Sequence, residues 1–357
     1  MDFVLGIVAF IFMLGVIVII HEFGHFLVAK LFGVYCNEFS IGMGPVIYQK
    51  KGKETTFSIR AIPLGGYVMM AGEDDGSQDE EEDNWLQNVP EDRRLNHLTT
   101  WKQICVMAAG VTMNFILALI LFIGLAMARG YTVEEPKPIV YEVVENSPAE
   151  KAGLQKKDEI IRVRNGNDTV IPETQRDVLE FIQFHKGKTT FTIRRAKKTF
   201  DVDITPKYDD QAQGYMIGFL SQAQARPISK WEAIGVGWDE MWDSGTMIFR
   251  SLGMLVRGKG IENLSGPVGI YKLTEQTAKM GWMSYLSLFA MISLNIGIFN
   301  LIPIPALDGG RILIALIEKI FRRKINPKII EKIIMVSFVL LFALLIYATF
   351  NDLVRIF

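Results

Sequence analysis

The sequence predicts a multi-pass α-helical membrane protein with about four transmembrane helices, a cytoplasmic-side β-hairpin and an inserted extracytoplasmic α+β domain. Three observations carry this. The 357 residues are half hydrophobic, and the mean hydropathy of +0.23 is high for a soluble chain. Four apolar windows, Phe3–Ile20, Ile104–Ala128, Met283–Leu301 and Ile333–Phe350, approach the ~20 residues a spanning helix needs. Between the second and third windows lies a long, mostly polar stretch with alternating strand-like patterns. The net charge of −1 offers no basic surface, so nucleic acid is not an expected partner.

The first span, residues 1–28, reads as retained. Asp2 is its only early charge, whereas a cleaved signal begins with Lys or Arg. Its apolar run exceeds the ~7–15 residues of a signal peptide, and no A-x-A cleavage site follows. The run ends in "IIHEFGHFLVAK", placing His21, Glu22 and His25 at membrane depth.

Lys and Arg near the spans set orientation. The segment after the first span holds eight: Lys30, Lys50, Lys51, Lys53, Arg60, Arg93, Arg94 and Lys102. The segment after the third holds seven: Arg311, Lys319, Arg322, Arg323, Lys324, Lys328 and Lys332. Both are expected in the cytoplasm of a bacterial cell, with both termini and the inserted domain outside. Cys36 and Cys105 then lie on the reducing side, and two buried free thiols are expected rather than a disulfide.

Residues 29–102 form a cytoplasmic segment. Its stretch 54–70, "ETTFSIRAIPLGGYVMM", is rich in β-formers around Pro63 and Gly65-Gly66 and reads as a hairpin. The acidic run 73–83 reads as solvated and disordered. The second span occupies 103–128. Within 129–208, Ser147, Pro148 and Glu150 form a capping box with Pro at the first helical position, and Gly153 closes that short helix. "EIIRV" reads as a strand followed by an Asn165-Gly166 turn. "RDVLEFIQFH" reads as a helix stopped at Gly187, and "TTFTIRR" and "TFDVDITP" as strands. "SPAEKAGL", two residues and "KDEI" carry a resemblance to a circularly permuted bacterial PDZ domain, which implies a peptide or protein C-terminus as a possible ligand. "GYMIGF" suggests one further strand. Residues 209–282 contain the amphipathic stretch 231–256, which suits either a helix on the bilayer surface or one packed on the third span. Residues 283–312 hold the third span and "NLIPIPALDGGRI", 313–332 are basic and cytoplasmic, and 333–352 form the fourth span.

His-x-x-x-His on a helix places two imidazoles on one face, a spacing suited to two ligands of one Zn²⁺. Glu22 lies about 100° round the helix from His21 and is free to act as a base. Ionisable residues at membrane depth are usually functional. A catalytic zinc takes three protein ligands, and Asp308 is the candidate third: it is the first acidic residue after a long uncharged stretch beginning at Met283. Pro303 and Pro305 break the helix before it, and Gly309-Gly310 loosens the turn after it. The competing reading of Asp308 is a helix N-cap.

"HEFGH" in the first span, "NLIPIPALDGGRI" after the third and a PDZ-like segment between spans two and three together resemble the site-2 protease family of intramembrane zinc metalloproteases, in its single-PDZ form. "FSIGMGP", "IPLGGYV" and "LSGPVGI" add to the likeness, which covers essentially the whole chain. The resemblance implies His21, His25 and Asp308 as zinc ligands and Glu22 as general base. Asn300, Pro303 and Pro305 match an N-x-x-P-x-P motif implied to contact substrate, with Asn295 one turn earlier. Gly65 and Gly66 are further candidates, at the edge strand onto which an unwound substrate would add. Gly110 and Asn114 match a G-x-x-x-N in the second span, for which helix packing through a small residue is the alternative. The implied partners are the lipid bilayer and single-pass membrane substrates, such as anti-sigma factors or remnant signal peptides, cut in regulated intramembrane proteolysis. A metal-binding scaffold or a transporter are the rival classes. Glu22 argues against the first, and the long soluble segment and lack of inverted repeats argue against the second.

Overall fold

The computed structural model describes residues 2–73, 85–185, 187–209, 214–256 and 265–356. In chain order the principal elements are α1 (Asp2–Leu31), β1 (Cys36–Lys51), β2 (Thr56–Met70), α2 (Thr100–Arg129), β3 (Tyr131–Glu134), β4 (Glu142–Val143) and α3 (Pro148–Lys151). Then follow β5 (Glu159–Asn165), β6 (Asp168–Val170), α4 (Gln175–Phe184), β7 (Thr189–Arg195), β8 (Lys198–Ile204), β9 (Lys207–Asp209), β10 (Gly214–Met216), β11 (Phe219–Leu220) and β12 (Gln224–Pro227). The chain closes with α5 (Glu232–Val256), α6 (Pro267–Met280), α7 (Trp282–Asn300), α8 (Asp308–Phe321) and α9 (Pro327–Ile356). Two compact units result, one of residues 1–128 with 231–357 and one of residues 129–230.

In the first unit, α1, α2, α7 and α9 are long and apolar enough to cross a membrane, at the four windows read from the sequence. Their outward faces stay apolar: on α9, Val336, Phe338, Val339 and Leu340 are exposed. A water-soluble helix would carry polar residues there, so these positions fit a lipid surround. Cys36 is buried and Cys105 exposed, which corrects the expectation of two buried thiols. An apolar span buries only the face it turns to other helices, and Cys105 lies on the opposite one.

The 54–70 stretch turns back on itself as read, but its two arms, 56–59 and 66–70, flank residues 38–41 rather than pairing with each other. It is the long strand β2, and both of its halves pair with β1: Ser40 stands opposite Tyr67 and also opposite Ser58. The reversal from β1 to β2 lies at residues 52–55, closed by Gly52 N–H donating to Thr55 O at 2.9 Å. The chain also reverses between residues 59 and 66, because 56–59 run alongside 38–41 in the same direction and 66–70 in the opposite one. Gly65, with φ of 89°, lies in that reversal, and Gly42 and Gly44 lie in the corresponding one of β1. Positive φ comes without steric penalty only at glycine. The sheet packs on α1 through Phe39, Val68 and Met70, which join Ala29 and Val106 in one buried cluster.

α5 packs Ile248 with Phe122, Leu294 and Ile298, and turns Trp238 and Trp242 outward, with Trp231 exposed just before it. Gly237 allows close approach to α2, because a Cβ there would sit 2.6 Å from Ile123 Cα. Asp352, buried near the end of α9, accepts a 2.7 Å hydrogen bond from Gly269 N–H. A Cβ on Gly266 or Gly269 would press against that carboxylate, which explains the glycines of "SGPVGI". Leu264 and most of the acidic run, 74–83, lie outside the described residues.

The second unit centres on a four-stranded sheet in the order β6-β5-β7-β8. Val163, Phe191 and Ile193 of the sheet pack with Val178 and Ile182 of α4. Ser147 caps α3 by accepting from Glu150 N–H at 3.2 Å. The Glu150 carboxylate reaches Asn146 N–H at 2.6 Å rather than the cap residue's own amide, so the expected capping box is displaced by one residue. A full capping box occurs instead at α4, between Thr174 and Asp177. "GYMIGF" supplies two short strands: β10 pairs with β9, and β11 with β4.

Candidate metal centre

His21 and His25 project from one face of α1, four residues apart. Their Nε2 atoms stand 3.1 Å from each other. Asp308 opens α8, reached after the loop 301–307 that follows α7. That loop folds tightly over the helix start. A Cβ on Gly309 would collide with the Leu301 carbonyl, and one on Gly310 with the Ile304 carbonyl. Leu307 is the N-cap and makes no side-chain cap bond. The Asp308 carboxylate is turned to the histidines instead, with Oδ2 3.2 Å from His21 Nε2 and 3.4 Å from His25 Nε2.

Three side-chain atoms from two distant segments therefore converge. Ligands about 2.0–2.1 Å from a tetrahedral Zn²⁺ stand about 3.3–3.4 Å apart, and the triangle here has sides of 3.1, 3.2 and 3.4 Å. Asp308 Oδ2 is buried without a hydrogen-bond partner among the described residues. An orphaned buried carboxylate oxygen is costly, and a cation would satisfy it. The donor set of two imidazoles and one carboxylate suits Zn²⁺.

α2 supplies the outer contacts. His25 Nδ1 lies 2.8 Å from the Val106 carbonyl oxygen, and His21 Nδ1 lies 3.2 Å from the Asn114 side-chain amide. Gly110 sits between them, one turn from each. A Cβ there would collide with His25 Nε2 and come within 2.8 Å of His21 Cε1. The G-x-x-x-N pair therefore faces the imidazoles, and Gly110 is more than a generic packing residue.

Glu22 shares with His21, His25 and Asp308 a cavity of about 650 Å³, whose other wall includes Tyr67, Val68, Met69 and Met70 of β2. Gly66 precedes those residues in β2, and a Cβ on it would lie 3.7 Å from Glu22 Cγ. Gly65, Gly66, Asn295, Asn300, Pro303 and Pro305 are not among the described cavity-lining residues. Arg311, one turn after Asp308, pairs with Glu73 at the cavity's edge.

Beside the cavity, Arg60 donates to Glu38 at 2.9 Å. Burial alone would raise the Glu38 carboxyl, but hydrogen bonds from Ser58, Arg60 and Tyr67 outweigh it and hold the group below the usual carboxylate range. Burial and the neighbouring Glu38 push the Tyr67 hydroxyl up to about 12. This network locks the middle of the sheet.

Sequence reasoning did not find Val106, because a backbone carbonyl leaves no mark on residue type. Arg311 lay inside a recognised motif, yet its partner Glu73 is separated from it by most of the chain.

Membrane-length helices that bring metal-binding side chains and a glutamate to one cavity define a membrane-embedded metallohydrolase. Comparison with known proteins narrows the class. The model of "Peptidase family M50" matches residues 9–344. The chain is 36% identical to a candidate zinc metalloprotease of Clostridium perfringens, over 95% of each chain. It is 31% identical to zinc metalloprotease RasP of Oceanobacillus iheyensis, over 98% of this chain and 99% of that one. The chain thus belongs to peptidase family M50, the site-2 protease family, and is a zinc metalloprotease.

Proposed function

We propose that this protease hydrolyses peptide bonds within the transmembrane segments of single-pass membrane proteins, with zinc held by His21, His25 and Asp308. The observation that carries the reading is the convergence of those three ligand atoms at 3.1–3.4 Å, with Glu22 in the same cavity. When bound, zinc supplies Lewis acidity toward water and the scissile carbonyl. Glu22 takes the proton of the attacking water and passes it to the leaving amine. The α2 face holds the imidazoles at the angle this requires.

A peptide bond in a membrane helix is hidden by its own hydrogen bonds, so the substrate must unwind before cleavage. Residues Gly66–Ile41 and Met70–Cys36 mark a ladder in which segment 66–70 pairs with β1, and the cavity runs along that segment. Addition of the unwound substrate as a further strand there satisfies its freed backbone groups, each of which costs several kcal/mol when left bare in hydrocarbon. This is the role we assign to Gly66 and its neighbours. Asn295, Asn300, Pro303 and Pro305, which do not line the cavity, are assigned to contact with the substrate outside it.

The Lys and Arg distribution supports a cytoplasmic position for the β1–β2 sheet, with both termini and residues 129–230 outside. Residues 129–208, read as a PDZ domain, then screen substrates by the size of their external part and admit those already trimmed. Regulated cleavage of anti-sigma factors or remnant signal peptides follows from that arrangement. The test is cleavage of a tagged single-pass substrate in membranes by the wild type and Glu22→Gln. Loss confined to the variant supports the reading. Equal cleavage by both overturns the assignment of Glu22.

A further inference from the structure

Asn114 is fully buried in an otherwise apolar stretch of α2. Its Nδ2 lies 3.2 Å from His21 Nδ1, and its Oδ1 has no hydrogen-bond partner among the described residues. The backbone at this point is pinned, because Ser293 Oγ of α7 donates to the Asn114 carbonyl oxygen at 2.9 Å. Gly297 of α7 leaves room for the neighbouring Phe115 ring, which a Cβ there would meet at 2.6 Å.

The chemistry of the ring sets a condition. His21 turns Nε2 to the point where the ligand atoms converge. An imidazole that ligates a metal through a neutral Nε2 carries its proton on Nδ1 and donates it to an outer partner. With the amide NH₂ turned to Nδ1, a donor would face a donor. The recorded orientation suits the other tautomer, whose proton is on Nε2. A half-turn of the amide exchanges oxygen and nitrogen with no change of shape. It brings Oδ1 to Nδ1 and ends that oxygen's isolation. His25 already has such an acceptor in the Val106 carbonyl, so His21 is the ligand whose tautomer depends on a side chain.

We propose that Asn114 is a positioning residue for zinc: its Oδ1 accepts the His21 Nδ1 proton and holds the Nε2 lone pair toward the metal. This rests on the metal-site reading given above.

The test is zinc affinity of the purified full chain in detergent, measured by competition with a chromophoric chelator. Wild type is compared with Asn114→Asp, which keeps an acceptor, and Asn114→Leu, which keeps the shape alone. Loss of such an outer partner typically weakens metal binding about 10–100-fold. The expected result is that loss in Asn114→Leu and retention within a few-fold in Asn114→Asp, with the Co²⁺ absorption of Asn114→Asp matching wild type. Wild-type affinity in Asn114→Leu overturns the inference while leaving the metal site intact. So does a loss in Asn114→Asp as large as in Asn114→Leu. If Asn114→Leu does not fold, Asn114→Ala takes its place beside Asn114→Asp. A wild type that holds no stoichiometric zinc overturns the metal site itself, and the inference with it.

Discussion

A methyl group at position 110 would occupy space now taken by the His25 ring. Gly110→Ala therefore forces either the ring or α2 to move. Overpacking of this kind costs typically 1–3 kcal/mol, and here the strain falls on a proposed metal ligand. We predict a lower zinc content and a lower Tm, read by metal analysis and thermal unfolding in detergent. Full zinc content with an unchanged Tm would mean that the two histidines do not rest on Gly110. At this scale the sequence was most informative where chemistry and spacing coincide. His21, Glu22 and His25 announce a site because two candidate ligands and a candidate base share one long apolar helix. Asp308 could be read either as ligand or as helix cap, since both roles favour Asp after a loop. Only the fold of residues 301–307 over Gly309 and Gly310 turns its side chain to the histidines. Val106 was beyond reach, because any residue type supplies the same carbonyl.

Among elements, the β1–β2 sheet shows how local signals mislead. Gly65 and Pro63 mark a change of direction, and the chain does reverse there, but its two arms close on residues 38–41 rather than on each other. The partner is settled by the register with residues 36–51, which no window around residue 65 contains. The edge role of segment 66–70 has a direct test. We predict that Val68→Pro or Met69→Pro lowers cleavage of a membrane substrate at least about tenfold while zinc content stays full, because proline removes a backbone donor. Wild-type rates in both variants would eliminate strand addition. The sheet is also tied to the end of α1: Glu54 pairs with Lys30 at 2.7 Å and with Arg93 at 2.5 Å. Those cations hold the Glu54 carboxyl at about 2, against an ordinary value of 4.5. A carboxyl depressed on folding contributes stability above its unfolded value and loses it as pH falls through the folded one. The Tm difference between wild type and Glu54→Gln should then shrink between pH 4.5 and 2. It should be small throughout, since the pair is partly exposed. A difference that grows on acidification would refute the tie.

For the whole molecule, the four spans were legible because hydrocarbon demands long apolar runs, and their outward faces remain apolar in the fold. The second unit's elements were legible through their caps, turns and alternation, although Glu150 bonds one residue away from its expected partner. What the second unit does is a question of function. We predict that deletion of residues 137–206 increases cleavage of substrates with an intact external domain. Unchanged selectivity would remove the screening role. Sidedness is open to labelling: a cysteine at Lys53, placed in a background without Cys36 and Cys105, should react with an impermeant thiol reagent only after the cytoplasmic face is opened. Labelling from outside would invert the topology. The most direct test of the central claim is paired measurement of zinc content and substrate cleavage for wild type and Glu22→Gln. One zinc per chain in both, with cleavage reduced about 10²–10⁴-fold in the variant, is the predicted result. Undiminished cleavage by Glu22→Gln, or loss of its zinc, would contradict the account of Glu22 as a base that does not ligate.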